Sequence, residues 1–329
     1  MATVKHASRW YPLEPEESVL DGLLRQGVAV PHACRAGACQ SCLMRATSGD
    51  VPEAARVSLK DTLRAQGYFL ACMCRPSADA VLEVSGADAL RVPARIASLD
   101  LLSPSVLRVR LSTDAPLDYR AGQYVSLLRA DGLARSYSLA SLPREGLLEL
   151  HVRLVAGGEM SGWLAREARV GDAVSVQGPA GSCFYVEGRP EQSLILAGAG
   201  TGLAPLYGIA RDALEAGHQG PLWLFHGART PEGLYLTREL RELAEQYAGF
   251  HYRPSVLTGG SRDVSEGALD AVIRAECPKP VGFRAWLCGD ADLVLSLRKK
   301  LFLSGLSLKD LHADVFLPST PRVEAVGAR

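Results

Sequence analysis

The sequence predicts a multidomain chain, α+β in its first part and α/β in its last, with an antiparallel β-barrel between them. Three observations predict it. Five of the eight cysteines, Cys34, Cys39, Cys42, Cys72 and Cys74, lie in the first quarter of the 329 residues. Apolar and polar residues alternate through the middle of the chain, the mark of half-buried strands. Short apolar runs separated by helical patterns fill the last third, the mark of a parallel sheet. The length by itself calls for two or three domains.

The first domain is expected over 1–89. Ser18 followed by Asp21 reads as a helix start, and Gly27 as its end. The cysteine loop spans 34–42. Ser58 and Asp61 repeat the cap signal for a short helix ending near Gly67, and 80–85 reads as a strand. Residues 86–93 read as a linker. The second domain, 94–188, alternates Leu107, Val109 and Leu111 with Arg108 and Arg110. Leu148, Leu150, Val152 and Leu154 alternate likewise with Glu149, His151 and Arg153, which places those three on a wet face. A helical pattern at 161–167 interrupts the strands. The third domain, 190–321, carries apolar runs at 193–197, 222–225 and 285–288, with helical patterns at 203–216, 236–248 and 266–276.

Composition excludes several functions. Lys+Arg and Asp+Glu are 36 each, so no basic excess points to nucleic acid. No run of 18 apolar residues suggests a membrane span. The first residues have no apolar signal segment, so the expected location is the cytoplasm, where eight cysteines need a reason other than disulfides.

The cysteines supply that reason. Cys34, Cys39 and Cys42 form C-x4-C-x2-C, and Cys72 follows after 29 intervening residues. Two irons bridged by two sulfides need four converging thiolates, and this is the plant-type [2Fe–2S] spacing. Ala36, Gly37 and Ala38 are small enough for backbone N–H groups to approach the cluster. The alternatives are unrelated buried cysteines or a zinc site, but zinc favours two short-spaced pairs and only one C-x2-C occurs. Spacing alone leaves Cys74 as a competitor for Cys72, because in a strand the two would face the same way.

Three further motifs follow. Arg135, Ser136, Tyr137 and Ser138 form R-S-Y-S; His151, Val152 and Arg153 come later, then Gly157 and Gly158 open a helix with Met160 and Ser161. A glycine pair before a helix is a ready anion site, so these pieces suit a flavin and its phosphates. Gly198, Gly200, Thr201, Gly202 and Pro205 follow an apolar run and precede a helix, a context suited to a pyrophosphate. Their pattern departs from G-x-G-x-x-G, and no acidic residue ends the next run, 222–226. Last, Cys288 and Gly289 end an apolar run. A lone cysteine there is by itself a small buried hydrophobe.

In this order the four signals resemble the ferredoxin–NADP reductase superfamily, and within it the reductase components of bacterial multicomponent oxygenases. The resemblance covers essentially the whole chain. It implies a plant-type ferredoxin (β-grasp) domain, an FAD barrel and a nucleotide-binding domain. It implies [2Fe–2S] ligation by Cys34, Cys39, Cys42 and Cys72, since Tyr68 to Cys72 is similar to the segment that closes such clusters. Arg135 would pair with the FAD pyrophosphate, Tyr137 pack on the ring system, and Ser138 bond near N5, with Ser136 in the same stretch. His151, Val152, Arg153, Gly158, Met160 and Ser161 would contact the ring edge and pyrophosphate, with Met160 and Trp163 weighted toward packing. Gly200, Thr201 and Gly202 would bind the nicotinamide cofactor, and Cys288 with Gly289 would sit beside the nicotinamide. Ser138 and Cys288 would be the catalytic pair. Phe316 matches a near-terminal aromatic beside the flavin, or is a core residue. After Cys-Gly the family has Gly-Pro or Ala-Pro, where this chain has Asp290 and Ala291.

The implied activity passes electrons from NAD(P)H through FAD to the cluster, then to a terminal oxygenase, a monooxygenase component or a ferredoxin. NADH is favoured, with NADPH open through Arg229. A deoxysugar dehydrase reductase and a redox sensor without turnover are the rival readings. No nucleic acid or membrane partner is expected.

Overall fold

The computed structural model describes residues 1–317. The last four residues of the expected third domain, 318–321, lie outside them. Three sheets organise the chain.

The first sheet contains β1 (Thr3–His6), β2 (Arg9–Pro12), β3 (Leu43–Ser48), β4 (Tyr68–Leu70) and β5 (Val81–Gly86) in the order β2-β1-β5-β3-β4. β1 and β5 are parallel and the other pairs antiparallel, the β-grasp arrangement. Helix α1 (Val19–Arg25) packs Val19, Leu20 and Leu23 against Phe69, Leu70 and Leu82. The Ser18 hydroxyl caps it as expected, accepting from the Asp21 N–H at 3.1 Å. Ser58 does not cap a helix. Its hydroxyl donates to the Gly37 carbonyl at 2.6 Å, so α2 (Asp61–Ala65) starts later, after Lys60.

The second sheet contains β6 (Arg91–Ser103), β7 (Val106–Thr113), β8 (Tyr124–Leu128), β9 (Ala134–Ser138), β10 (Leu148–Arg153) and β11 (Ala173–Ala180), ordered β10-β7-β6-β11-β8-β9. An antiparallel bridge between Leu139 and Leu150 joins the two ends, closing the barrel. Helix α3 (Glu159–Arg166) packs Met160 and Leu164 into its core. Two sequence expectations change here. Residues 91–93 are not linker: Arg91, Val92 and Pro93 pair with Gln177, Val176 and Ser175, and β6 goes on to bury Ala94 and Ile96. Glu149 and His151 are not wet. Both are buried: the third domain's Tyr235 bonds His151, and Glu149 is paired within the barrel by His151 and Arg110.

The third sheet is all parallel: β12 (Leu194–Ala199), β13 (Leu222–Ala228), β14 (Phe250–Val256), β15 (Ser265–Glu266), β16 (Arg284–Asp290) and β17 (Leu311–Phe316), ordered β15-β14-β13-β12-β16-β17. Helices α4 (Leu203–Glu215), α5 (Thr237–Gln246), α6 (Leu269–Glu276) and α7 (Ala291–Leu303) cross between the strands. Chain order reverses between β12 and β16, so their carboxyl ends form the crevice where such sheets bind ligands. The glycine loop and Cys288 meet there. Gly198 and Gly202 are needed for this approach: a Cβ would come within 2.6 and 2.2 Å of the Cys288 carbonyl.

Candidate functional site

The site begins with the cysteine loop. Arg35, Gly37 and Gln40 have positive φ, which turns backbone N–H groups toward sulfur. The Cys34 thiol accepts from the N–H groups of Ala36 and Cys39, each at 3.4 Å, and the Cys39 thiol from the N–H of Cys34 at 3.5 Å. Gly37 combines φ +73 with a Cβ position 2.9 Å from Met73, so only glycine fits. The four thiols stand as two interacting pairs, Cys34 with Cys39 and Cys42 with Cys72. Hydrogen bonds from Cys39 and then from backbone N–H groups hold Cys34 down to about 5, while its neighbour raises Cys39. Cys72 is likewise lowered by Cys42, with help from the Gly37 N–H, and Cys42 is raised.

Two thiol pairs, with backbone N–H donors at the Cys34 and Cys39 sulfurs, fit a dinuclear cluster. Cys74 differs from Cys72. β4 ends at Leu70 and a turn follows, so the strand parity expected of the two does not apply. Cys74 is fully buried in the core, and burial pushes its thiol up to about 12 despite Arg56 nearby.

A cavity of about 540 Å³ lies beside this loop, and all three domains line it. Cys34 and Cys39 come from the first. Arg135, Ser136, Tyr137 and Ser138 come from β9, His151 and Arg153 from β10, and Gly158, Met160 and Ser161 from the start of α3. Thr201 and Phe316 reach it from the third. The remaining predicted residues do not line it. Val152 alternates into the barrel core, and Cys42 and Cys72 sit behind the loop. Gly202 is packed on β16. Gly200, at φ +54, has open space around it. Cys288 is fully buried, its sulfur 3.7 Å from that of Cys183; burial and then this neighbour keep it a neutral thiol. Gly289 follows Cys288 on β16 and is also outside the lining.

Polar groups organise the walls. Arg135 donates to its neighbour's carbonyl at 2.7 Å and reaches Glu159 at 3.5 Å, beside the N-terminus of α3. An incoming pyrophosphate would take over the Glu159 contact and gain the helix N–H groups. Ser161 is turned inward, accepting from the Val155 N–H at 3.2 Å, which shapes the glycine turn. Burial raises the Tyr137 phenol, so it stays neutral. His151 donates through Nε2 to Glu149 at 3.0 Å and accepts through Nδ1 from the Tyr235 hydroxyl at 3.1 Å. Burial opposes ionisation of Glu149, yet His151 and Arg110, the latter at 2.8 Å, hold its carboxyl down to about 2. Burial lowers His151 against the pull of Glu149.

Sequence reasoning missed Asp314. It sits on β17 opposite Cys288 and accepts from the Ser138 hydroxyl at 3.1 Å. Burial against the protein side of the cavity pushes its carboxyl up to about 6, opposed by that hydrogen bond. Its signal was available once 311–316 is read as a strand, since Asp314 and Phe316 then share a face.

The cysteine loop and the polar cavity walls fit a dinuclear cluster and a flavin, while the glycine turn brings Thr201 alone to the cavity. Models of a 2Fe-2S iron-sulfur cluster binding domain, an oxidoreductase FAD-binding domain and an oxidoreductase NAD-binding domain match residues 5–77, 93–185 and 196–299. The reductase subunit of an aromatic O-demethylase from Amycolatopsis is 36% identical over 93% of this chain and 96% of its own. The phenol hydroxylase P5 protein of Acinetobacter pittii is 31% identical over 96% and 94%. The crystal structure of an Amycolatopsis cytochrome P450 reductase superposes with TM-score 0.70 at 32% identity, covering 97% of this chain and 99% of that one. The chain belongs to the [2Fe–2S]/FAD/NAD(P)H reductases of the ferredoxin–NADP reductase superfamily. It is an electron-transfer oxidoreductase that carries electrons from NAD(P)H through FAD to a [2Fe–2S] cluster. No helix among the described residues is long and apolar enough to cross a membrane.

Proposed function

We propose that this chain is the reductase component of a multicomponent oxygenase, delivering single electrons from its cluster to an oxygenase component or an intermediary ferredoxin. The observation that carries this is the shared cavity, where the cysteine loop, the R-S-Y-S strand and the third domain meet. Relatives named as reductase components of phenol, naphthalene and terephthalate oxygenases support the choice of acceptor. FAD supplies the conversion of an electron pair, taken as hydride, into single electrons for the cluster.

The residues then take these roles. Cys34, Cys39, Cys42 and Cys72 hold the cluster. Arg135 and the N–H groups at Gly158 and α3 neutralise the pyrophosphate, and Tyr137 covers the ring system as a neutral phenol. Ser136, His151, Val152, Arg153, Met160 and Ser161 shape the flavin bed, and Phe316 closes its far side. Gly200, Thr201 and Gly202 form the nicotinamide cofactor's turn, with Cys288 and Gly289 behind it. Ser138 positions the reacting edge through its bond with Asp314. NADH is the favoured donor, and the eight free cysteines suit the cytoplasm. NADH consumption with the purified oxygenase component as acceptor tests the partner; no coupling to any oxygenase or ferredoxin would refute it.

Asp314 gives a pH-dependent expectation. Its carboxyl is protonated below about pH 6 and ionised above it. Ionised, it would supply a negative charge beside the cavity that favours the positive charge hydride loss would leave on a nicotinamide ring. Flavin reduction should therefore accelerate as pH rises through 6. Asp314→Asn should flatten that rise and lower the rate at pH 8 about tenfold, or ~1.4 kcal/mol. A step near pH 6 that persists in the variant would assign the ionisation elsewhere.

A further inference from the structure

Four consecutive residues of the cysteine loop are held by side chains of the barrel. The Tyr124 hydroxyl donates to the Ala38 carbonyl at 2.7 Å. Ser126 and Ser136 hydroxyls reach the Cys39 carbonyl at 3.4 and 3.5 Å. The Gln177 amide donates to the Gln40 carbonyl at 2.9 Å, and the Ser41 and Ser126 hydroxyls bond at 2.9 Å in a buried contact. Ser126 and Ser136 are also 3.3 Å apart.

The pattern has three features. All the barrel partners lie on adjacent strands, β8, β9 and β11. Three of the four loop residues are held through main-chain carbonyls, so the contact fixes the backbone that carries Cys39 and Cys42. None of the partners is charged, so the contact is directional and resists salt, unlike charge-steered docking. That suits a tethered module, which needs orientation more than recruitment. It also joins two functional stretches directly, because Ser136 belongs to the R-S-Y-S strand and Cys39 is a cluster ligand.

We propose that Tyr124, Ser126 and Gln177, with Ser41 opposite, are positioning residues that clamp the cluster loop against the flavin cavity and set the rate of flavin-to-cluster electron transfer. The inference rests on reading Arg135–Ser138 as the flavin stretch. A positioning role differs from a merely structural one in which step it affects. The barrel and the third domain keep their own cores without the clamp. Hydride delivery to the flavin should therefore be untouched, while the step across the domain boundary slows.

The test uses the full-length protein carrying both cofactors, as Gln177→Met alone and combined with Ser126→Ala; Tyr124 is left intact because its side chain also lines the flavin cavity. FAD and iron contents are measured first, then flavin and cluster absorbance are followed separately after mixing with NADH. The expected result is unchanged flavin reduction with cluster reduction slowed about tenfold or more in the double variant, from the neutral hydrogen bonds lost to Ser41 and to the Cys39 and Gln40 carbonyls. The single variant should be intermediate. Cluster reduction at the wild-type rate in the double variant overturns the clamp. So does a parallel loss of flavin reduction or FAD, which would make these residues part of the flavin site. Absence of flavin reduction by NADH in the wild type would refute the flavin reading instead.

Discussion

Cys72→Ser is expected to abolish the iron–sulfur cluster, while Cys74→Ser retains it. Spacing alone leaves the two cysteines in competition, and their environments separate them. Cys72 lies on the turn after β4, where its neighbours Cys42 and the Gly37 backbone lower its thiol pKa against burial, as suits a thiolate ligand. Cys74 is a fully buried neutral thiol in the core of the first domain. Serine at 72 removes one of four thiolates from a site whose other donors are already paired. Serine at 74 replaces a small buried hydrophobe by a hydroxyl, with an expected cost of about 1–3 kcal/mol in stability. Iron and sulfide content and the visible spectrum of each purified variant check this. Loss of the cluster in Cys74→Ser, with retention in Cys72→Ser, would reverse the ligand assignment.

Removing residues 1–89 is expected to split the activity in two. The cut leaves β6 complete from Arg91 and removes none of the barrel or third-domain cores. The barrel side chains uncovered, Tyr124, Ser126 and Gln177, are polar and tolerate water. The truncated protein should keep FAD and still reduce ferricyanide with NAD(P)H. It should lose most cytochrome c reduction, whose electrons leave through the cluster. Equal loss of both activities would mean that the first domain is needed for flavin reduction itself. Equal retention would mean that electrons leave from the flavin.

Much of this architecture is legible in the sequence because its strongest signals are local. Cysteine spacing, alternation at Leu107–Leu111 and the strand–glycine–helix order at 194–205 each report a structure made by neighbours in the chain. What was not legible depends on contacts between domains. Glu149 and His151 alternate like surface residues, yet both are buried, and His151 meets Tyr235 and Tyr207 from another domain. Residues 91–93, the start of β6, read as linker because Gly86, Asp88 and Pro93 suggest a turn, whereas pairing with β11 overrides local preference. β14, β17 and α7 carry weaker periodicity and were not anticipated, and Asp314 was missed with β17. Family likeness places Cys288 beside the nicotinamide; it is buried against Cys183, with its carbonyl packed on the glycine turn at Gly198 and Gly202.

The central claim is the order of electron flow, in at the flavin and out at the cluster. Stopped-flow mixing of the complete protein with NADH, recorded at wavelengths that separate the two chromophores, tests it most directly. Flavin bleaching should precede or accompany cluster bleaching in every trace. A preparation stripped of FAD but retaining its cluster should show no cluster reduction by NADH. Reduction of the cluster in that flavin-free protein would contradict the account.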